Sequence, residues 1–248
     1  MRYFIVFSYF GKSYHGWQNQ PNAITVQEVM EDAMSKLLRE KIALVGAGRT
    51  DAGVHARQMY AHFDHEGEID ADGFIYRLNA FLPQDIAVCE LIPVANSAHA
   101  RFDAIERTYE YWVVQKKDPF HWHTAHYVKH PLDVEAMNDA AKLLLDHSDF
   151  ECFSKSNTDV HTYLCDVRKA EWTAASDKLV FTITADRFLR NMVRAVVGTL
   201  MDVGVGKTDV DHVARILNSK NRSLAGPSVP AKGLYLTKII YPEPLRKI

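Results

Sequence analysis

Ile42-Ala43-Leu44-Val45-Gly46-Ala47-Gly48-Arg49-Thr50-Asp51-Ala52-Gly53-Val54-His55-Ala56 can be read in two ways, and the choice decides the fold. As a phosphate loop it runs from a strand into a helix; as a hinge it joins two strands. The dinucleotide fingerprint needs its third glycine at position 51, directly before a helix. Position 51 is Asp, whose charge repels a pyrophosphate, and the residues from about Val54 to Phe63 read as strand. The nucleoside-triphosphate loop needs Lys and Ser/Thr after its second spaced glycine, where Val54 and His55 stand instead. Gly11-Lys12-Ser13 and Gly206-Lys207-Thr208 fail as well, because the upstream glycine would fall at Val6 and Met201. The stretch is a strand–turn–strand. Its glycines allow turns that a Cβ would forbid, and Arg49 and Asp51 stand at its tip, where functional groups are commonly placed. Asp51 fits either of two jobs, capping a tight turn or supplying a reactive carboxylate.

Working outward, Arg2 to Phe10 is an apolar, aromatic strand. Residues 9–21 form a loop whose glycines, aromatics and amides either stack on bases or cover the core. Thr25-Val26-Gln27-Glu28 is a capping-box signal that opens a helix with Val26, Val29, Met30, Ala33 and Leu37 on one face. A second helix from about Asp70 buries Phe74, Leu78 and Leu82 and stops at Pro83; Ile86 to Pro93 is the next strand. The order strand, helix, strand, strand, helix, strand is the ferredoxin-like split unit.

Residues 106–248 read as a second such unit. Arg107 to Gln115 is a strand, a His-rich loop follows, and a helix starts at Asp133, carrying Val134, Met137, Leu144 and Leu145. Asp166 to Thr173 and Leu179 to Thr184 make a hairpin around Ser176-Asp177-Lys178. A helix from about Phe188 to Val203, an extra helix from about Asp209 to Asn218 and a strand from Gly233 to Tyr241 complete the chain. The expected class is α+β: units 1–105 and 106–248, related by a pseudo-twofold, with mainly antiparallel sheets flanking a cleft.

The 248 residues are 47% hydrophobic and 24% charged, the balance of a water-soluble globular protein. No charged-then-apolar leader opens the chain, and no apolar run is long enough to span a bilayer. Cys89, Cys152 and Cys165 are odd in number and form no CxxC pair, which fits a reduced, cytoplasmic setting. A net charge of −2 gives no bulk argument for nucleic acid, so any polyanion surface comes from local clusters or from pooling across an oligomer.

Arg190 and Arg194 are four apart, with Arg187 ahead of them. Arg194 lies between Val193 and Ala195-Val196-Val197, where an unpaired guanidinium is costly, and Asp51 is the partner expected for it. Such pairing would hold Asp51 ionised and fixed in direction. His121, His123 and His126 do not match a common zinc spacing and read as loop histidines. There is no G-x-S-x-G nucleophile elbow, which leaves carboxylate chemistry as the best candidate.

Several stretches together closely resemble the tRNA pseudouridine synthase A family. They are Tyr9-Phe10-Gly11 through Gly16-Trp17-Gln18, the Gly46–Ala56 block, Arg101-Phe102-Asp103-Ala104, Arg107-Thr108-Tyr109-Glu110-Tyr111, Phe188 to Arg194, and Pro230-Ala231-Lys232-Gly233-Leu234-Tyr235-Leu236. The resemblance implies a homodimer that isomerises uridines 38, 39 and 40 in the anticodon arm of tRNA, with no cofactor and no metal. It sets Asp51 on the catalytic aspartate and Arg49 on the arginine that helps extract the base. Tyr109 falls on the tyrosine that stacks on uracil, Arg194 on the basic partner of the aspartate, and Leu234 on the apolar wall. Pooled across a dimer, Arg49/Arg57, Lys116/Lys117 and Arg187/Arg190 could track an RNA backbone. Two rival classes are a non-catalytic RNA-binding module and a glycoside-cleaving enzyme, which would need a second carboxylate.

Overall fold

A computed structural model describes residues 1–155 and 161–243. The chain divides into two compact units, Met1–Ile105 with the segment from Tyr235 on, and Glu106–Leu234. Both mix helices with mainly antiparallel strands.

In the first unit, β1 (Arg2–Tyr9) is central, pairing antiparallel with β3 (His55–Asp64) on one side and β4 (Ile86–Val94) on the other. The two-residue β2 (Val45–Gly46) pairs antiparallel with β3 at His62 and Ala61. The strand order is therefore β4-β1-β3, with β2 a side pairing on β3. Two helices connect these strands, α1 (Val26–Leu38) and α2 (Ala71–Phe81). Thr25 caps α1 by accepting the Glu28 N–H, and Val26, Met30, Ala33 and Met34 are its buried positions. Val29 and Leu37, expected on that face, are half-buried, and Met34 takes their place. Phe74 and Leu78 of α2 are fully buried, as are Phe4, Phe7, Met59 and Phe63 of the strands.

The reading of Ile42 to Val45 as a strand is only partly right. Ile42 and Leu44 are buried in alternation, but the ladder is limited to Val45 and Gly46. Leu44 N–H is taken instead by the Glu31 carboxylate, and Ile42 N–H by Ser35 Oγ, so side chains of α1 replace a neighbouring strand.

The second unit contains β5 (Glu106–Val114), β6 (His126–Tyr127), α3 (Val134–Lys142), β7 (Val167–Ala174), β8 (Leu179–Ala185), α4 (Met192–Gly204) and α5 (Val210–Ser219). Antiparallel β7 and β8 form the expected hairpin, with β5 beside β8 and the short β6 parallel to β5. Asp133 and Asp209 cap α3 and α5. Helix α3 ends at Lys142, so Leu144 lies beyond it, buried, while Leu145 is exposed. Helix α4 is apolar on nearly all sides.

Two expectations change here. Helix α4 starts at Met192, because Asn191 takes a left-handed conformation (φ 66°) that ends any helical run from Phe188. Arg190 consequently lies ahead of the helix, exposed, and does not form an i,i+4 pair with Arg194. The last strand, β9 (Leu234–Ile240), groups from Tyr235 onward with the first unit rather than with residues 106–234. Tyr235 and Leu236 pair in parallel with His55 and Ala56, and the Ile239 N–H donates to Gln58 Oε1. The Tyr241 hydroxyl donates to the Ala100 carbonyl. Among the described residues no helix is long and apolar enough to cross a membrane.

Candidate active site

The Asp51 turn is braced by the loop of residues 10–18. Trp17 N–H donates to Thr50 O (3.3 Å) and Gly53 N–H donates to Tyr14 O (3.2 Å). Val54 N–H closes the turn on Asp51 O at 3.2 Å. Gly16 (φ 87°) has its Cα so close to the turn that an added Cβ would lie 2.3 Å from Thr50 O. Gly53 also needs a positive φ, 78°. The Tyr9 and Thr50 hydroxyls are 2.8 Å apart. The backbone carbonyl of Asp51 closes the turn, and the residue is half-buried. Arg49, two residues earlier, is exposed.

The other end of that turn is anchored by His55, which sequence reasoning missed. Its imidazole is 1% exposed. Nδ1 accepts the Gly11 N–H at 2.9 Å, which leaves the ring proton on Nε2 when the ring is neutral. The ring stacks between Phe10 (centroids 4.3 Å apart) and Tyr235 (4.6 Å). A cavity of about 420 Å³ lined by Tyr9, Phe10, His55, Arg57, Asp85 and Tyr235 borders it. The only prior signal was position: an imidazole at the head of an apolar strand needs an internal partner. The aromatics of the 9–21 loop cover the core, with Tyr9, Tyr14 and Trp17 all buried.

In the second unit, Arg194, Tyr109 and Leu234 lie on elements that converge on residues 229–234. Arg194 Nε donates to Val229 O at 2.8 Å, and the Val229 N–H returns a bond to Arg194 O at 3.2 Å. The guanidinium is half-buried, and a backbone carbonyl supplies part of the partnership its apolar setting demands. The Tyr111 hydroxyl donates to Pro230 O at 2.9 Å. Burial pushes the Tyr111 phenol well up from its ordinary value, opposed by the nearby Arg194 charge. Tyr109, two residues back on β5, shares its face of the strand and meets Phe188 edge-on at 5.1 Å. Gly233 is pressed against β5, 2.9 Å from Trp112 O for an added Cβ, and the buried Leu234 follows it. Tyr111 and the 229–230 carbonyls were the missed members here; the period-2 pattern Tyr109-Glu110-Tyr111 was their signal.

The loop histidines are not equivalent. His121 Nε2 bonds Asp177 Oδ2 at 2.7 Å, and burial pushes the His126 pKa down. Among the described residues no group of three or more His, Cys, Asp or Glu side chains could hold a metal ion. Burial raises the thiols of Cys152 and Cys165 to about 12, which makes them poor nucleophiles.

A family model described as tRNA pseudouridine synthase matches residues 5–103 and 140–242. It covers Arg49, Asp51, Arg194 and Leu234, whereas Tyr109 lies between the two matched segments. Proteins named tRNA pseudouridine synthase A are similar over nearly the full length of both chains. That of Parabacteroides distasonis is 52% identical over 98% of this chain and 97% of its own. The Bacteroides fragilis protein is 50% identical over 98% and 97%, and the Bacillus subtilis protein 40% identical over 97% and 99%. The chain belongs to the tRNA pseudouridine synthase family.

Proposed function

We infer that the protein isomerises uridine to pseudouridine at positions 38–40 of the tRNA anticodon arm, with Asp51 as the reacting carboxylate. The N1–C1′ bond breaks, the uracil turns, and C5 joins C1′; N1 gains a proton and C5 releases one. Nothing is added to the atoms of the RNA, so the reaction needs no cofactor. Flipping the target base from its stack costs a few kcal/mol. Arg49, exposed at the tip of the turn, fills the vacated space. Tyr109 and Leu234 sandwich the flipped ring. Arg194 takes the role that the resemblance gives it, the basic partner of the reacting carboxylate, whether that carboxylate attacks sugar or base or removes a ribose proton. The protein acts as a cytoplasmic homodimer built from ferredoxin-like units; for the first unit, the β4-β1-β3 order with β2 also paired to β3 supports the fold reading.

The observation that carries this reading is the bracing of the Asp51 turn. Three backbone hydrogen bonds and a glycine pressed against the Thr50 carbonyl fix its direction, as a preorganised reacting group requires. Asp51→Asn keeps shape and hydrogen-bonding capacity but removes the charge. It is expected to leave folding and tRNA binding intact and to lower C5-tritium release from labelled tRNA by at least about a thousandfold. Turnover within tenfold of the parent would overturn the assignment.

A further inference from the structure

Residues 115–127, Gln115-Lys116-Lys117-Asp118-Pro119-Phe120-His121-Trp122-His123-Thr124-Ala125-His126-Tyr127, contain no Leu, Ile, Val or Met. Their bulky apolar side chains are aromatic, and three are exposed: Phe120 at 90%, Trp122 at 63% and Tyr127 at 44%. A flexible tail could expose aromatics by default, but this loop is tied down. Asp118 Oδ1 accepts the Phe120 N–H at 2.8 Å, and Pro119 fixes the first turn. Thr124 and Ala125 N–H groups both donate to His121 O. The His121 ring is held to Asp177 in the β7–β8 turn. Lys232 donates to Trp122 O at 2.9 Å and sets its ammonium 5.0 Å from the centre of the Trp122 ring.

The charge around these rings is positive. Lys116 and Lys117 are exposed beside them, and Lys232 lies over one. The nearby acids Asp118 and Asp177 are outnumbered by these lysines and Lys178, and both are engaged: Asp118 accepts the Phe120 N–H, and Asp177 bonds His121 and Lys178, which hold its pKa at about 2. Rigid aromatics flanked by lysines, in a stretch without Leu, Ile, Val or Met, match a surface on which unpaired bases stack while cations meet phosphates. A protein–protein core is instead depleted in lysine.

We propose that Phe120 and Trp122, with Lys116, Lys117 and Lys232, form a stacking platform for unpaired bases of the RNA substrate, separate from the residues that handle the target uridine. The platform rests on the reading of the substrate as tRNA.

The test uses the full chain, an unmodified tRNA transcript and a single-stranded oligouridylate. In the Phe120→Ala/Trp122→Ala variant, Kd for both RNAs and KM for tRNA should rise about tenfold or more, with kcat within twofold. Phe120→Tyr/Trp122→Phe should restore binding. Lys116→Gln/Lys117→Gln should flatten the slope of log affinity against log salt by about 1.4. Unchanged Kd and KM in the alanine variant would overturn the proposal. So would a variant that sediments as a smaller species while binding RNA normally, since the patch would then join copies of this chain. Failure of the wild-type protein to release tritium would sink the isomerase reading alone, because the Kd comparison still decides the platform.

Discussion

Two aromatic-rich loops, residues 9–21 in the first unit and 115–127 in the second, have similar ingredients and opposite fates. Each mixes aromatics, lysine, histidine and amide side chains. In the first, Tyr9, Tyr14 and Trp17 turn inward, and Trp17 packs on Phe7 with ring centres 5.3 Å apart. In the second, Phe120 and Trp122 turn outward from an equally well-bonded backbone. The difference follows from what each loop crosses. The first follows directly on the end of the β1–β3 ladder and is hydrogen-bonded to the Asp51 turn, with Trp17 against Phe7 and Gly46. The second leaves β5 at Val114 and returns through β6, with the buried Ala125 as its inward contact. The first loop is scaffolding for the Asp51 turn, and the second is a surface.

The largest effect that could break this contrast is on stability. Trp17→Ala removes a ring that is 3% exposed and should cost about 3–5 kcal/mol. Phe120→Ala should change stability by less than about 0.5 kcal/mol. Urea unfolding of the two variants checks both figures, and similar midpoints would erase the distinction.

Local chemistry explains which parts of the chain were legible. Strand β1, the Thr25, Asp133 and Asp209 caps, and the β7–β8 hairpin follow from nearest-neighbour patterns that a sequence displays directly. The partner of β9 did not, because pairing with His55 and Ala56 joins residues about 180 positions apart. The start of α4 was hidden by one backbone angle at Asn191, which no periodicity reports. Asp51, Arg49 and Arg194 stood out as polar groups in unusual company. His55 did not, since one buried histidine in an apolar strand looks the same whether it braces a turn or simply fills space. The composition of the 9–21 loop fitted base stacking and core cover equally; only its burial separated them.

Gly16→Ala sharpens the link between loop and site. The new methyl group must accept a positive φ and would sit 2.3 Å from Thr50 O, a backbone atom that cannot rotate away. A cost of about 2–4 kcal/mol is expected. Relief requires the Asp51 turn to shift, so activity should fall about a hundredfold even where the variant is fully folded. Circular dichroism and tritium release on one sample separate the two losses. A folded variant with full activity would show that the turn tolerates displacement and that bracing is not what the reaction uses.

Tyr14→Phe is the smallest and most selective change. The Tyr14 phenol donates to Asp85 Oδ1 at 2.6 Å, while its backbone carbonyl holds Gly53 N–H. Burial first, and then the Asp85 bond, push the phenol well above its ordinary pKa, so it remains a donor at neutral and moderately alkaline pH. Removing the hydroxyl leaves a half-buried carboxylate that can recover water, so the cost should be about 1–2 kcal/mol. The carbonyl bond to the turn survives the substitution, and kcat should remain within about threefold of the parent. RNA affinity should be unchanged, because this ring faces the core and not solvent. A Tyr14→Phe variant that folds normally yet loses tRNA affinity would mean that the first loop also touches RNA, and the division between scaffold and surface would fail at that residue.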